Sequence, residues 1–212
     1  MVVPISQELP VLRKYEDVML RNINDLCIEC WNLYTSFDDL NESSYDFLTQ
    51  IINDRNLRFS NLYYECSYKE LEGSIMVPEN KKLKSLDELN KKILKNCESL
   101  TEIVEVNFPN LISKFEKIVT KVKKIDISNY MEKMSNNDKL LLNHKVKEGK
   151  IILPTFLECI KKELKFKISG LKDIAYAPDN TNDISIGILA AWKHYIYIDY
   201  SLINSLYCLA IS

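Results

Sequence analysis

The sequence predicts an all-α protein whose long helices form an elongated bundle or coiled coil with partner chains. Three observations predict it. No Gly or Pro occurs between Val11 and Glu72, and Pro109 is the only one between Glu79 and Glu148, so two long tracts hold nothing that forces the backbone out of a helix. In NFPNLISKFEKIVTKVKKIDI the apolar residues Leu111, Phe115, Ile118, Val122 and Ile125 recur at helical spacing, with Lys114, Glu116, Lys117, Lys121, Lys123 and Lys124 in the gaps. The 212 residues are 46% hydrophobic and 27% charged, which suits a chain with a buried core rather than a disordered one.

The first helix is expected over residues 12–37 and the second over 44–71. Between them lies FDDLNESS, whose Asn, Asp and Ser side chains can cap a helix start. A break follows at GSIMVP, where Gly73 suits a helix end and Pro78 stops continuation. The third helix is expected over 83–106, with Leu86, Leu89, Ile93, Leu100 and Val104 on one side and Cys97 filling one apolar slot. Pro109 fits the first turn of a fourth helix, where its missing N–H costs nothing, and Asn107 is its expected cap.

That fourth helix is expected to reach Lys147, roughly 60 Å at the helical rise per residue. Its stripe slips from Leu111, Phe115, Ile118, Val122 and Ile125 through Ile127 to Met131, Met134 and Leu141. A helix so long rarely fits within one small domain. Leu111, Phe115, Ile118, Val122, Ile125, Met131, Met134 and Leu141 are therefore the expected partner interface, facing other coiled-coil subunits of a hetero-oligomer. The flanking lysines would cover the seam with their methylene stems and keep the ammonium groups in water.

Three segments result: an N-terminal helical segment 1–72, a coiled-coil segment 73–169 and a divergent apolar tail 170–212. The tail lacks Glu and Arg after Leu171. Lys193, His194 and Asp199 interrupt its apolar run, which argues for a buried hydrophobic end rather than a membrane span.

Chemistry-bearing patterns are sparse, and the sequence predicts a non-enzyme with no catalytic residues, no cofactor and no metal. Cys27 and Cys30 have CxxC spacing, but no second CxxC or paired His completes a zinc set. The other cysteines, Cys66, Cys97, Cys159 and Cys208, sit mostly in apolar-periodic segments, as reduced small hydrophobes do. His144 and His194 stand in no nucleophile motif, and four Gly in all leave no phosphate-cradling loop. Tyr63, Tyr64 and Tyr68 could dock a partner, although Tyr64 and Tyr68 share a helix face that suits internal packing. Trp31 and Tyr34 are expected to anchor the first helix against a neighbour. The formal charge of −2 gives no reason to expect nucleic acid. The opening MVVPISQELP carries no basic n-region, which places the chain in the cytoplasm as an expectation.

Over residues 75–157 the order PNL, FEKI, VKKIDI, the leucines Leu140, Leu141 and Leu142, and ILPTFL around Pro154 resembles the C-terminal helical part of HAUS augmin-like complex subunit 2. IMVPENKKLKSLDEL is similar to that family's proline-containing entry to the preceding helix. A competing resemblance is to the MIS12-type kinetochore subunit, through DVM, RFSNLYY and VPENK, and IMVPENKKL also resembles a dynactin light subunit. The augmin resemblance implies a non-enzymatic subunit of a mitotic spindle complex that lies along existing microtubules and recruits the γ-tubulin ring complex to start new ones. A self-contained helical bundle that binds an apolar ligand is the alternative outside this class.

Overall fold

A computed structural model describes residues 9–70, 86–128, 136–176 and 182–211. They form helices α1 Leu9–Glu70, α2 Leu86–Glu102, a π-helical segment Ile103–Asn107 running into α3 Phe108–Lys123, then α4 Asn136–Tyr176, α5 Asn182–His194 and α6 Tyr200–Ile211. The protein is all-helical, with no strand among the described residues.

Three helix boundaries differ from the sequence reading, each for a local reason. The helices expected over 12–37 and 44–71 are one helix of 62 residues. The hydroxyls of FDDLNESS and its surroundings turn back on their own helix instead of capping a new one. Ser36 donates to the Asn32 carbonyl at 3.0 Å, Ser43 to that of Asp39 at 2.9 Å and Ser44 to that of Asn41 at 2.8 Å. Nothing in the segment lacks an N–H or needs a positive φ, so the backbone continues.

Asn107 does not cap a new helix either. Phe108 lies at φ −60° and ψ −48°, and its N–H reaches back to the Ile103 carbonyl, so the helix widens for a turn and continues. Pro109 explains the widening. Its ring would crowd the carbonyl four residues back, and a π turn moves that carbonyl aside.

The expected single helix from Pro109 to Lys147 is broken instead after Lys123. The N–H groups of Lys124 and Ile125 bond tightly to the carbonyls of Lys121 and Val122 at 3.1 and 3.2 Å. Asp126 then accepts from the Ser128 N–H at 2.9 Å and its hydroxyl at 2.7 Å, the arrangement of a side chain that turns the backbone. Lys150 donates to the Ile125 carbonyl freed by the break, at 2.7 Å.

The chain divides into two units, 1–37 with 110–163 and 197–212, and 38–109 with 164–196. This division does not follow the three segments read from the sequence. The expected tail contributes to both units, because its apolar residues supply core to each.

In the first unit, Ile23, Cys27 and Tyr34 of α1, Phe115, Ile118 and Val122 of α3, Leu153 and Phe156 of α4, and Leu206 and Leu209 of α6 are all buried. Phe115 stacks on Phe156 with centroids 5.6 Å apart, and Tyr34 meets Phe156 edge-on at 5.5 Å. Trp31 lies 5.0 Å from Tyr207, so Trp31 and Tyr34 do anchor α1 to its neighbours.

In the second unit, Trp192, Leu48, Leu89, Leu100 and Phe108 are fully buried. The Trp192 ring nitrogen donates to the Ser44 hydroxyl at 2.8 Å. Lys167, also fully buried, donates to Asn41 at 2.6 Å and to the Trp192 carbonyl at 3.2 Å, with its ammonium 4.6 Å from the Trp192 ring centroid. Tyr195 ends α5 at φ 52°, a left-handed position held by its hydroxyl, which donates to Asp38 at 2.6 Å.

Candidate association surface

The predicted seam is divided by the fold. Phe115, Ile118 and Val122 are at most 2% exposed within this one chain, so the middle of the stripe is closed by the protein itself, with Phe156 of α4 stacked on Phe115 and Gly149 of α4 beside Val122. Leu111 and Ile125 are half-buried, and Leu141 is 38% exposed. Met131 and Met134 lie outside the described residues. Lys114, Lys117 and Lys121 flank the stripe on the solvent side, as the spacing predicted.

What stays open lies at the ends. Ile125 joins Met19 and Leu26 in a groove of about 360 Å³, rimmed by Asp25, Glu29 and Lys121. Leu140 and Ile151 of α4 are 70% and 56% exposed.

A more continuous face belongs to α6, which sequence reasoning set aside with the tail. One side of α6 buries Leu206 and Leu209. The opposite side carries Tyr200, Asn204, Tyr207 and Ile211, one or two turns apart along a single line. Tyr200 and Ile211 are the most open, at 72% and 65%. YSLINSLYCLAI contains no charged residue. A solvated helix face normally carries charge, so an uncharged one exposing aromatic and aliphatic side chains is suited to desolvation by another surface. In the sequence this side shows as a spacing of four, three and four over residues 200–211.

Burial acts on the two cysteines of the CxxC spacing. Cys27 and Cys30 lie fully buried on one face of α1. Burial pushes the Cys27 thiol up to about 11, with the Lys145 ammonium acting in the opposite direction. Burial raises Cys30 as well, with the neighbouring Cys27 and Glu29 adding to it. Neither supplies a thiolate near neutral pH, the form needed by a nucleophile or zinc ligand. Among the described residues no three His, Cys, Asp or Glu side chains gather as a metal site would require. His144 sits exposed, 3.9 Å from Glu148. The side chains of Tyr63, Tyr64 and Tyr68 lie outside the described residues.

Among the described residues no helix is long and apolar enough to cross a membrane. In comparisons with known proteins the chain matches no family model and no curated protein.

Proposed function

We propose that this chain is a non-enzymatic helical subunit of a multi-chain assembly, and that the assembly is a spindle microtubule-associated complex of the augmin type. Its work is association. The uncharged, exposed side of α6 at Tyr200 and Ile211 carries the first part of this reading, because a helix whose inner face is already buried leaves these side chains for another surface. The PNL, FEKI, VKKIDI and ILPTFL series over residues 75–157 supports the choice of assembly. In that reading the chain acts in the cytoplasm and on the mitotic spindle, and other coiled-coil subunits connect it to microtubules and the γ-tubulin ring complex.

The test is co-purification of the tagged full-length chain from mitotic cells, read by mass spectrometry, beside a Tyr200→Glu, Ile211→Glu variant that retains its helical content. Augmin-type subunits recovered with the wild type and reduced at least about tenfold with the variant would support it, since an unpaired charge in a desolvated interface costs several kcal/mol. Recovery of kinetochore subunits would transfer the chain to the MIS12-type alternative. A wild type that is monomeric and brings down neither set would remove the proposal.

A further inference from the structure

Asn204 stands at the centre of the outer face of α6, exposed and directly opposite the buried Leu206 and Leu209. Tyr200 lies four residues before it and Tyr207 three after, which puts both on one flank of Asn204. Ser201 lies three before and Cys208 four after, which puts both on the other flank, and both are exposed. Large side chains thus occupy one flank and small ones the other, and the face reads nearly the same in both directions from Asn204. Apart from the contact of Tyr207 with Trp31, none of these five side chains has a hydrogen-bond, ion-pair or ring partner among the described residues.

A face with this symmetry is complementary to itself. A two-fold axis makes each residue meet either itself or a residue at the opposite offset. When two α6 helices run antiparallel about Asn204, Tyr200 of one copy lies beside Tyr207 of the other on one flank, and Ser201 beside Cys208 on the other. The aromatic flank then gains two ring pairs, and the small flank lets the helices approach. Asn204 meets Asn204 on the axis. A carboxamide carries both donors and an acceptor, so the two satisfy each other, and a polar Asn in an apolar seam fixes its register. YSLINSLYCLAI contains no charge, so it offers a foreign chain no electrostatic cue and has no like charges to repel its own copy. Opposed directions also bring the N-terminus of each helix beside the C-terminus of the other, which the helix dipoles favour.

We propose that α6 pairs with α6 of a second copy of this chain, antiparallel and centred on Asn204. This rests on the association reading of α6 and names the partner of that face. Two helices of 12 residues bury less than the standard area of about 800 Å² per partner, so the dimer is reversible, with a dissociation constant on the order of 10 μM.

Sedimentation equilibrium of the purified full chain, from about 1 to about 200 μM, brackets that constant, and the wild type is expected to pass from monomer to dimer. Asn204 is exposed, so Asn204→Asp and Asn204→Lys should keep the fold, which circular dichroism checks. Each places two like charges on the axis and should weaken the dimer at least about tenfold, whereas the two variants mixed should pair again because Asp then faces Lys. Under mild oxidation Asn204→Cys should give a dimer linked through residue 204. The wild type should not be linked through Cys208, since the two Cys208 side chains lie on the order of 12 Å apart along the antiparallel pair. The inference is overturned by a wild type that stays monomeric throughout, by charged variants that dimerise as the wild type does, by a mixture no tighter than its components, or by a wild-type disulfide at Cys208. A monomeric wild type whose Tyr200→Glu, Ile211→Glu variant still loses other chains in co-purification would show that the face docks a different protein, and the association reading would stand without this inference. If that variant loses nothing either, both fall.

Discussion

Lys145 is the residue whose chemistry the fold changes most legibly. It is 2% exposed, its ammonium donates to Asn24 Oδ1, and burial lowers its pKa from 10.5, with Cys27 acting in the opposite direction. The folded protein therefore holds this proton less tightly than the unfolded chain does. In the pH range just below 10.5 the unfolded state binds more protons, and the contribution of Lys145 to stability rises with pH. Cys27 runs the other way, since a thiol raised from 9.0 to about 11 keeps its proton after the unfolded chain has lost it, and its contribution falls over that interval. Comparing wild type with Lys145→Met at each pH largely cancels the cysteine effect. Half-buried Asn24 can turn to water, so the variant should equal or exceed the wild type in stability at pH 7, and its margin should narrow as the pH approaches 10.5. Urea unfolding of both proteins at several pH values measures this, and a margin that widens would mean the buried ammonium is net stabilising.

At the scale of the element, glycine inside helices offers a graded test of packing. A Cβ at Gly149 would lie 3.5 Å from Val122 and 4.0 Å from Leu209, ordinary contact distances. At Gly170 it would come within 3.2 Å of Ile188, close enough that the neighbour must give way. Gly149→Ala should raise stability by about 0.5–1 kcal/mol, the helix-propensity gain, while Gly170→Ala should gain less or lose. Thermal melts followed by circular dichroism separate the two cases.

The elements also mark how far the sequence could be read. Periodicity located the buried face of α3 at Phe115, Ile118 and Val122, because spacing alone determines a face. It could not say what covers that face, and Phe115 stacks on the chain's own Phe156. Ser43 and Ser44 read as turn residues because the same hydroxyl can cap a helix or bond back within one. The choice was made by Trp192 and Lys167, more than a hundred residues away, which require Ser44 and Asn41 inside a buried helix. Asp126 was the reverse case, a turn residue hidden inside an apparently continuous stripe.

For the whole molecule, the last residues decide whether the proposed association face is built into the fold or appended to it. Ile198, Leu206 and Leu209 are at most 5% exposed, Tyr207 rests on Trp31, and Leu209 approaches Gly149. Each fully buried aliphatic side chain contributes roughly 1.5–3 kcal/mol, so removing residues 197–212 takes away on the order of 5 kcal/mol, much of what a small protein has. The sequence sets this segment apart as a divergent tail with a buried hydrophobic end, and the burial of Ile198, Leu206 and Leu209 makes it part of the core. A chain ending at Ile196 should lose its cooperative melt or aggregate, whereas the full chain with Tyr200→Glu and Ile211→Glu should melt within a few degrees of the wild type, because those side chains face outward. Size-exclusion chromatography with thermal melts of both proteins tests the contrast. If the shortened chain stays soluble and melts like the wild type, α6 is not held by the first unit, and the line of Tyr200, Tyr207 and Ile211 is not a surface that the fold presents.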